Sequence, residues 1–154
     1  MENIIKLLEA IRSGYINPTK ADISVFGGVL NSIFREIPNK KPVEYVSEKA
    51  LELARKMKID LSKANWKDQP KFDKGRLIFY YEHCNTVKML TNDILKTNKD
   101  VAKVIKGNVI CWITREENKI LDKKGYRDNR PGGWKKCYKE CGIEVLKNKG
   151  DLYV

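Results

Sequence analysis

The chain has 154 residues, of which 42% are hydrophobic and 33% are charged, so it is long enough to bury one core. This composition excludes a disordered chain, and no apolar run reaches the roughly 20 residues that span a bilayer. The N-terminal stretch MENIIKLLEAIRSGY lacks the continuous apolar segment of a secretory signal. We therefore expect a cytoplasmic protein that has no membrane segment.

The net charge of +11 predicts a polyanionic partner, usually nucleic acid. Residues 119–149 contain ten lysines and arginines against four acidic residues, so this part of the chain carries +6 of the +11. Clustering of this kind favours a nucleic-acid partner over a lysine-rich surface that serves only solubility.

The four cysteines are spaced so that no C-x-x-C pair exists, which argues against a structural zinc site. In a cytoplasmic protein we expect all of them to be free thiols, with Cys111 in the core. They are Cys84, Cys111, Cys137 and Cys141.

Three amphipathic helices are predicted in the first part of the chain, because apolar residues recur there at a spacing of three and four. The second helix contains Gly27-Gly28, a pair that predicts either close packing against another backbone or a break. We expect the three helices to form a compact N-terminal subdomain of about residues 1–60. Their predicted ranges are Asn3–Arg12, Thr19–Phe34, and Val46 or Ser47 to Lys58.

Strands and helices alternate in the rest of the chain, which predicts an α+β core over about residues 74–154. Arg76–Tyr81 and Val109–Ile113 are apolar and bounded by turn residues, as buried neighbouring strands are. The predicted fold class is α+β, a single domain in which N-terminal helices precede a small sheet with inserted helices and a C-terminal hairpin. The other predicted segments are helices over Val87–Leu95, Lys99–Lys106, Arg115–Lys123 and Lys135–Cys141, and a hairpin of Ile143–Leu146 with Leu152–Val154.

Polar side chains follow both predicted strands. Glu82 and His83, the only histidine, come after the first strand, and Glu116, Glu117 and Asn118 come after the second. Parallel neighbours would bring the two groups to one edge of the sheet, whereas antiparallel neighbours would separate them. The connection between the strands is long enough for the crossover that a parallel pair needs.

Brought together, these groups suit the metal-assisted hydrolysis of a phosphodiester. Carboxylate and amide oxygens hold a hard divalent cation such as Mg²⁺ or Mn²⁺, which neutralises charge on the phosphate. A nearby histidine activates water as a general base. The alternative interpretation is structural: His83 caps a helix or lies at the surface, and Glu116 and Glu117 favour the helix dipole.

An acidic residue and a histidine at a strand end, followed by a later strand and an asparagine-bearing helix, resemble the HNH, or ββα-metal, nucleases over about Phe79–Asn118. The resemblance implies that His83 is the general base, that Glu82 binds metal and that Asn118 orients. Glu117 is the second carboxylate expected at the metal. The chain departs from the family pattern in having two helices between the strands and no second histidine.

A second resemblance competes with the first. Glu117-Asn-Lys119 matches the E-x-K of the PD-(D/E)xK nucleases, in which this motif lies on a strand. Here Thr114-Arg-Glu-Glu117 has the pattern of a capping box, which predicts a helix through the motif instead.

The segment Tyr126–Lys136 interleaves basic and aromatic residues on a loop rich in glycine and proline. Cations of this kind contact phosphates, and flat rings stack on bases, so the segment predicts a nucleic-acid-binding surface. The alternative is a surface loop in which Trp134 folds back as a hydrophobic anchor. The residues predicted to bind nucleic acid are Arg127, Arg130, Trp134, Lys135 and Lys136.

Two functions follow from these patterns. The first is a metal-dependent, nuclease-like protein that acts on or binds nucleic acid. The second is a non-catalytic accessory or inhibitor protein from a phage or mobile element, of the anti-restriction or anti-CRISPR type, that binds a partner nuclease. The first depends on the polar strand end and the basic loop, and the second on size and charge.

Overall fold

The computed structural model describes residues 1–15, 19–40 and 42–150. In this part the chain forms eight α-helices, one 3₁₀ turn and four strands, which confirms the predicted α+β class, and none of these helices is long and apolar enough to cross a membrane. The helices are α1 (Glu2–Gly14), α2 (Lys20–Glu36), α3 (Glu48–Lys56), α4 (Gln69–Phe72), α5 (Val87–Lys96), α6 (Val101–Lys106), α7 (Arg115–Lys123) and α8 (Trp134–Glu140), and the 3₁₀ turn is Ile37–Lys40. The strands are β1 (Tyr45–Ser47), β2 (Phe79–His83), β3 (Ile110–Thr114) and β4 (Val145–Lys147).

The four strands form one mixed sheet in the order β2-β3-β1-β4. Strand β3 runs parallel to β1 and antiparallel to β2, and β4 is antiparallel to β1. The sequence pattern does not predict β1, because three residues are too few for an alternation to show and α3 follows at once. Leu152–Val154, the predicted hairpin partner of the C-terminal strand, lies outside the described residues.

Strand β3 is the centre of the core, since all five of its residues are buried. Its side chains alternate between the two faces of the sheet. Ile110 and Trp112 join the hydrophobic cluster formed with α3, whereas Cys111 and Ile113 join the cluster formed with α7 and α8. Cys111 is buried and, like the other three cysteines, is a free thiol, as predicted. Trp112 is held by edge-on ring contacts with Phe72, Phe79 and Tyr81.

A separate hydrophobic cluster joins α1 and α2 to α5 and α6. Helix α3 packs instead against the sheet through Ala50, Leu51 and Ala54. The three helices predicted to form an N-terminal subdomain are therefore divided between two clusters. Strand β1 leads directly into α3, because its last residue, Ser47, is also the N-cap of the helix. The start of α3 is therefore fixed to the sheet.

Helix α2 passes through Gly27-Gly28 without a break. Apart from the neighbouring backbone of α2 itself, no described atom lies within 4 Å of the position that a β-carbon would take at either glycine. Neither predicted explanation, a break or close backbone packing, therefore applies to this pair. At Gly27 the missing side chain leaves room in a groove beside β2 that is described below.

Strand β2 begins at Phe79, three residues after the predicted start at Arg76, because Asp73 binds the main chain ahead of it. Burial alone would raise the pKa of Asp73, but hydrogen bonds to its carboxylate hold that pKa below its usual value. The turn that these bonds fix leaves Arg76 in the left-handed region, with φ of +54°. The amides that donate to Asp73 are those of Leu77, Ile78 and Phe79.

The parallel strands β1 and β3 end side by side in residues that cap helices. Ser47 caps α3 and Thr114 caps α7. The carboxylate of Glu117 accepts hydrogen bonds from the Ser47 hydroxyl and the Thr114 amide, each at 2.7 Å. The Thr114 hydroxyl accepts from the Glu117 amide at 3.1 Å, which completes the predicted capping box. Glu117 thus joins the two strand ends.

We expect Glu117→Ala to lower the free energy of unfolding by about 2 kcal/mol, because it removes the capping box and leaves the buried Ser47 hydroxyl without this acceptor. Urea denaturation at neutral pH measures the loss. Glu116→Ala, an exposed neighbour in the same helical turn, is the control and should cost less than about 1 kcal/mol. Equal losses in the two variants would contradict a structural role for Glu117.

Candidate functional site

The antiparallel pairing of β2 and β3 separates the two polar groups that follow the predicted strands. His83 lies opposite Ile110 at the start of β3, and Phe79 lies opposite Thr114 at its end. The two ends of β2 are about 14 Å apart at about 3.4 Å per residue. Glu82 and His83 therefore do not meet Glu117 and Asn118, because the parallel neighbour of β3 is β1 and not β2.

The carboxylates predicted to bind metal are already engaged with protein groups. Glu117 is buried and accepts the two hydrogen bonds of the cap. Glu82 is buried on β2 and forms an ion pair with Arg130. Burial raises the pKa of Glu82 to about 7, an effect that Arg130 opposes. No group of three or more His, Cys, Asp and Glu side chains in the described part of the chain is placed to hold a metal ion, and the Mg²⁺ or Mn²⁺ expected from the sequence stays a prediction.

Two of the five residues predicted to bind nucleic acid lie inside the protein. Arg130 is only 2% exposed because it pairs with Glu82. Trp134 is buried in edge-on contacts with Tyr45 and Tyr138. It therefore serves as the hydrophobic anchor that the alternative interpretation of this loop predicts. The other three, Arg127, Lys135 and Lys136, are exposed.

The exposed members of the basic segment face two different surfaces. Arg127 borders a groove beside β2. Lys135 lines a separate cavity with Lys139 and Lys147, next to the β4 edge of the sheet. The exposed basic residues of the segment are therefore not gathered in one cavity.

Strand β2 is an edge strand, and a groove runs between it and α2; we call it the β2 groove. It consists of two adjoining cavities of about 300 Å³ and 460 Å³. Both belong to one feature because they share four lining residues. These are Arg35, Tyr80, Tyr81 and His83.

His83 lies at the junction of the two cavities with its ring held by Asn108. The ring Nδ1 is 2.9 Å from Asn108 Oδ1, and Asn108 Nδ2 donates to the Phe34 carbonyl at 2.8 Å. Because the amide nitrogen of Asn108 is used on Phe34, its oxygen faces His83, so Nδ1 carries the ring proton. Nε2 then presents its lone pair and has no hydrogen-bond partner within the described residues.

The imidazole of His83 is neutral at physiological pH. Burial lowers the pKa of His83 to about 4, and the hydrogen bond that the ring donates to Asn108 only partly opposes this effect. The positive charge of Arg35 lowers the pKa further, which places Arg35 within electrostatic range of the ring. A neutral imidazole with an accessible lone pair can accept a proton or a hydrogen bond.

Guanidinium groups and aromatic rings are stacked in the smaller cavity. The Arg76 guanidinium lies 3.9 Å from the Trp66 ring centroid, and that of Arg115 lies 4.6 Å from the Tyr80 ring centroid. Trp66 is 44% exposed. These residues come from separate segments of the chain, so no spacing pattern in the sequence predicts that they lie together. The available signals are a tryptophan in a polar stretch, Trp66, and an arginine next to each of two strands, Arg76 and Arg115.

The larger cavity is lined in part by the loop that precedes α8, through Arg127 and Asp128. Lys88 on α5 forms an ion pair with Asp128 at 2.9 Å, and the Thr86 hydroxyl donates to the Asp128 carbonyl at 3.0 Å. Thr86 also caps α5, since its hydroxyl accepts a hydrogen bond from the Met89 amide. These contacts hold Arg127 beside the groove.

Comparisons with protein-family models, with curated proteins and with solved structures gave no match. The resemblance to HNH nucleases around Glu82, His83 and Asn118 therefore stays a prediction. What the fold adds is the chemistry of the β2 groove: a neutral histidine between two cavities with basic linings.

We expect the stability of the protein to depend on pH through His83. A histidine whose pKa falls from about 6.5 in the unfolded chain to about 4 in the fold stabilises the protein above about pH 6.5, and this stabilisation is lost as the pH falls towards 4. Between pH 7 and pH 4 the wild type should lose about 2 to 3 kcal/mol more than His83→Gln. Urea denaturation of both proteins across this range measures the difference, and parallel declines would contradict it.

Proposed function

We propose that the protein binds nucleic acid in the β2 groove and that His83 acts there as the base in cleavage of a phosphodiester. The observation that carries the proposal is the His83 imidazole, neutral and with Nε2 unpaired, between cavities lined by Arg35, Arg115 and Arg127. A histidine in this state is equipped to accept a proton from the attacking hydroxyl or water.

The groove has an excess of positive charge suited to phosphate. Its acidic lining residues are engaged: Glu36 with Lys67 at 2.9 Å, Asp128 with Lys88, and Glu82 with Arg130. Guanidinium groups match phosphate oxygens in bidentate geometry and bind them more strongly than neutral donors do. The guanidinium groups that line the groove are those of Arg35, Arg76, Arg115 and Arg127.

A bound phosphate also changes the basicity of His83. With its pKa near 4, the free imidazole is a weak base at neutral pH. A phosphate held by Arg35 places negative charge near the ring, which stabilises the imidazolium and raises its pKa towards neutrality. The substrate thus supplies part of the electrostatic environment that the base needs.

We expect Arg35→Gln to weaken the binding of a short single-stranded oligonucleotide about tenfold and to reduce the salt dependence of binding by about one phosphate contact. Arg35 suits this test because it is exposed and its Nε bonds only within α2, to Asn31. Fluorescence anisotropy over a salt titration measures both effects. The double variant Lys135→Gln, Lys136→Gln on α8 is the control, and a larger loss in that variant would move the binding surface to the basic segment.

We expect His83→Ala to abolish cleavage of DNA or RNA while retaining oligonucleotide affinity within about threefold, because the proposed base contributes to the reaction and not to the charge of the groove. Cleavage is followed on labelled strands with Mg²⁺, with Mn²⁺ and with EDTA, so that the same assay tests the predicted divalent cation. Asn108→Ala should reduce cleavage without abolishing it. Equal cleavage by wild type and His83→Ala, or none by either, would remove the catalytic part of the proposal.

The outer edge of β2, which pairs with no other strand in the described part of the chain, favours a second candidate function. The Arg115 amide donates to the Ile78 carbonyl and the Cys84 amide to the Val109 carbonyl, so the even-numbered residues of β2 pair with β3. The main chain of Tyr81 and His83 then faces away from β3, and a strand edge of this kind accepts an extended segment of another protein. This supports the accessory or inhibitor protein that binds a partner nuclease. Binding to a nuclease, with no salt-sensitive nucleic-acid binding, would favour it over the first candidate.

A further inference from the structure

We infer that the 300 Å³ cavity at the Trp66 end of the β2 groove holds a single unstacked nucleotide, with its base on Trp66 and its phosphate between Arg35 and Arg115. We call it the Trp66 cavity. The inference rests on the proposed function and deepens it, because it names the substrate class: a single strand with one base turned into the protein.

The first support is the aromatic platform. Trp66 is 44% exposed, whereas Trp112 and Trp134 are buried. The Arg76 guanidinium lies over its ring at 3.9 Å and also approaches the Trp66 carbonyl at 3.5 Å. A tryptophan ring with a stacked guanidinium is a flat surface of the kind on which bases stack in single-strand-binding proteins.

The second support is the unfavourable main-chain conformation of Arg76. A left-handed conformation, here with φ of +54°, is unfavourable for a residue with a β-carbon. It persists because the main chain is held from two sides: the Arg76 amide donates to the Asp73 carbonyl at 2.9 Å, and Arg115 Nε donates to the Arg76 carbonyl at 2.6 Å. The outcome is a guanidinium fixed over Trp66 at the cavity wall.

The third support is a pair of polar atoms without partners. Four buried side-chain nitrogen and oxygen atoms in the described part of the chain have no hydrogen bond, and two of them, Asn39 Oδ1 and Arg76 Nε, belong to residues that line the Trp66 cavity. The Asn39 amide nitrogen is already used on the Arg35 carbonyl, which leaves its oxygen unpaired. Both unpaired atoms are shielded from solvent, and because buried unpaired groups are costly they mark this wall of the cavity as polar and incompletely satisfied in the protein alone.

The size of the cavity is the fourth support for a nucleotide. A volume of 300 Å³ is at the lower end of ligand cavities and is of the order of one nucleotide. Inorganic phosphate alone would leave the exposed ring of Trp66 without a role. A base inside a duplex is stacked on both faces, so only a single strand or an extruded nucleotide can bind the ring in this way.

The test compares a short oligothymidylate with an abasic strand of the same length, which has the same phosphates but no bases. Wild-type protein should bind the oligothymidylate at least tenfold more tightly, consistent with stacking of about one base. Trp66→Ala should bring the two affinities together, and Trp66→Phe, which keeps a ring, should retain most of the difference. Circular dichroism checks that both variants are folded, which the exposure of Trp66 favours.

The outcomes separate this inference from the proposed function. Equal binding of the two strands by wild type would overturn the nucleotide cavity while leaving a phosphate-binding groove intact. Failure to bind either strand would overturn the proposed function, and a 5′-mononucleotide is then compared with ribose 5-phosphate. Tighter mononucleotide binding that Trp66→Ala abolishes would still support the cavity; equal binding, or none, would overturn it.

Discussion

The antiparallel pairing of β2 with β3 determines which polar side chains lie at the same end of the sheet. Strand β3 is buried along its whole length and pairs with β1 in parallel and with β2 in antiparallel orientation. The antiparallel pair sends His83 to the end of the sheet at which Asn108 and the Phe34 carbonyl of α2 can hold it. The parallel pair leaves Glu117 at the other end, where it ties two helix caps together. The Glu117 carboxylate therefore stabilises the fold at one end of the sheet, whereas the His83 imidazole lines a candidate site at the other end.

The sequence predicts what depends on local spacing and misses what depends on pairing across the chain. Helical periodicity, the capping box at Thr114 and the second buried strand are local properties, and all are present in the structure; the sequence predicts the strand over Val109–Ile113, and it spans Ile110–Thr114. The direction of β2 against β3 is not local, because α5 and α6 lie between the two strands in the chain. The three-residue β1, which takes the parallel position, carries no periodic signal of its own.

The candidate site was only partly predictable for the same reason. His83 stands out as the only histidine at a strand end, and it does line the groove. Arg130 lies in a basic and aromatic segment of the kind that binds nucleic acid, yet its side chain is buried. It forms an ion pair with the buried carboxylate of Glu82, which lies 48 residues earlier in the chain, and no local pattern predicts this pairing. The Trp66 cavity combines residues of α2, a turn, β2 and α7, and no spacing rule connects those segments.

The hydrogen bonds that hold His83 give the groove a thermodynamic coupling. If a phosphate beside Arg35 raises the affinity of Nε2 for a proton, then a proton on Nε2 raises the affinity of the groove for phosphate by the same factor, since linkage is reciprocal. Asn108 also ties the His83 ring to α2 through the carbonyl of Phe34, the residue immediately before Arg35. If the groove binds phosphate as proposed, it therefore holds the anion more tightly as the pH falls towards the pKa of His83.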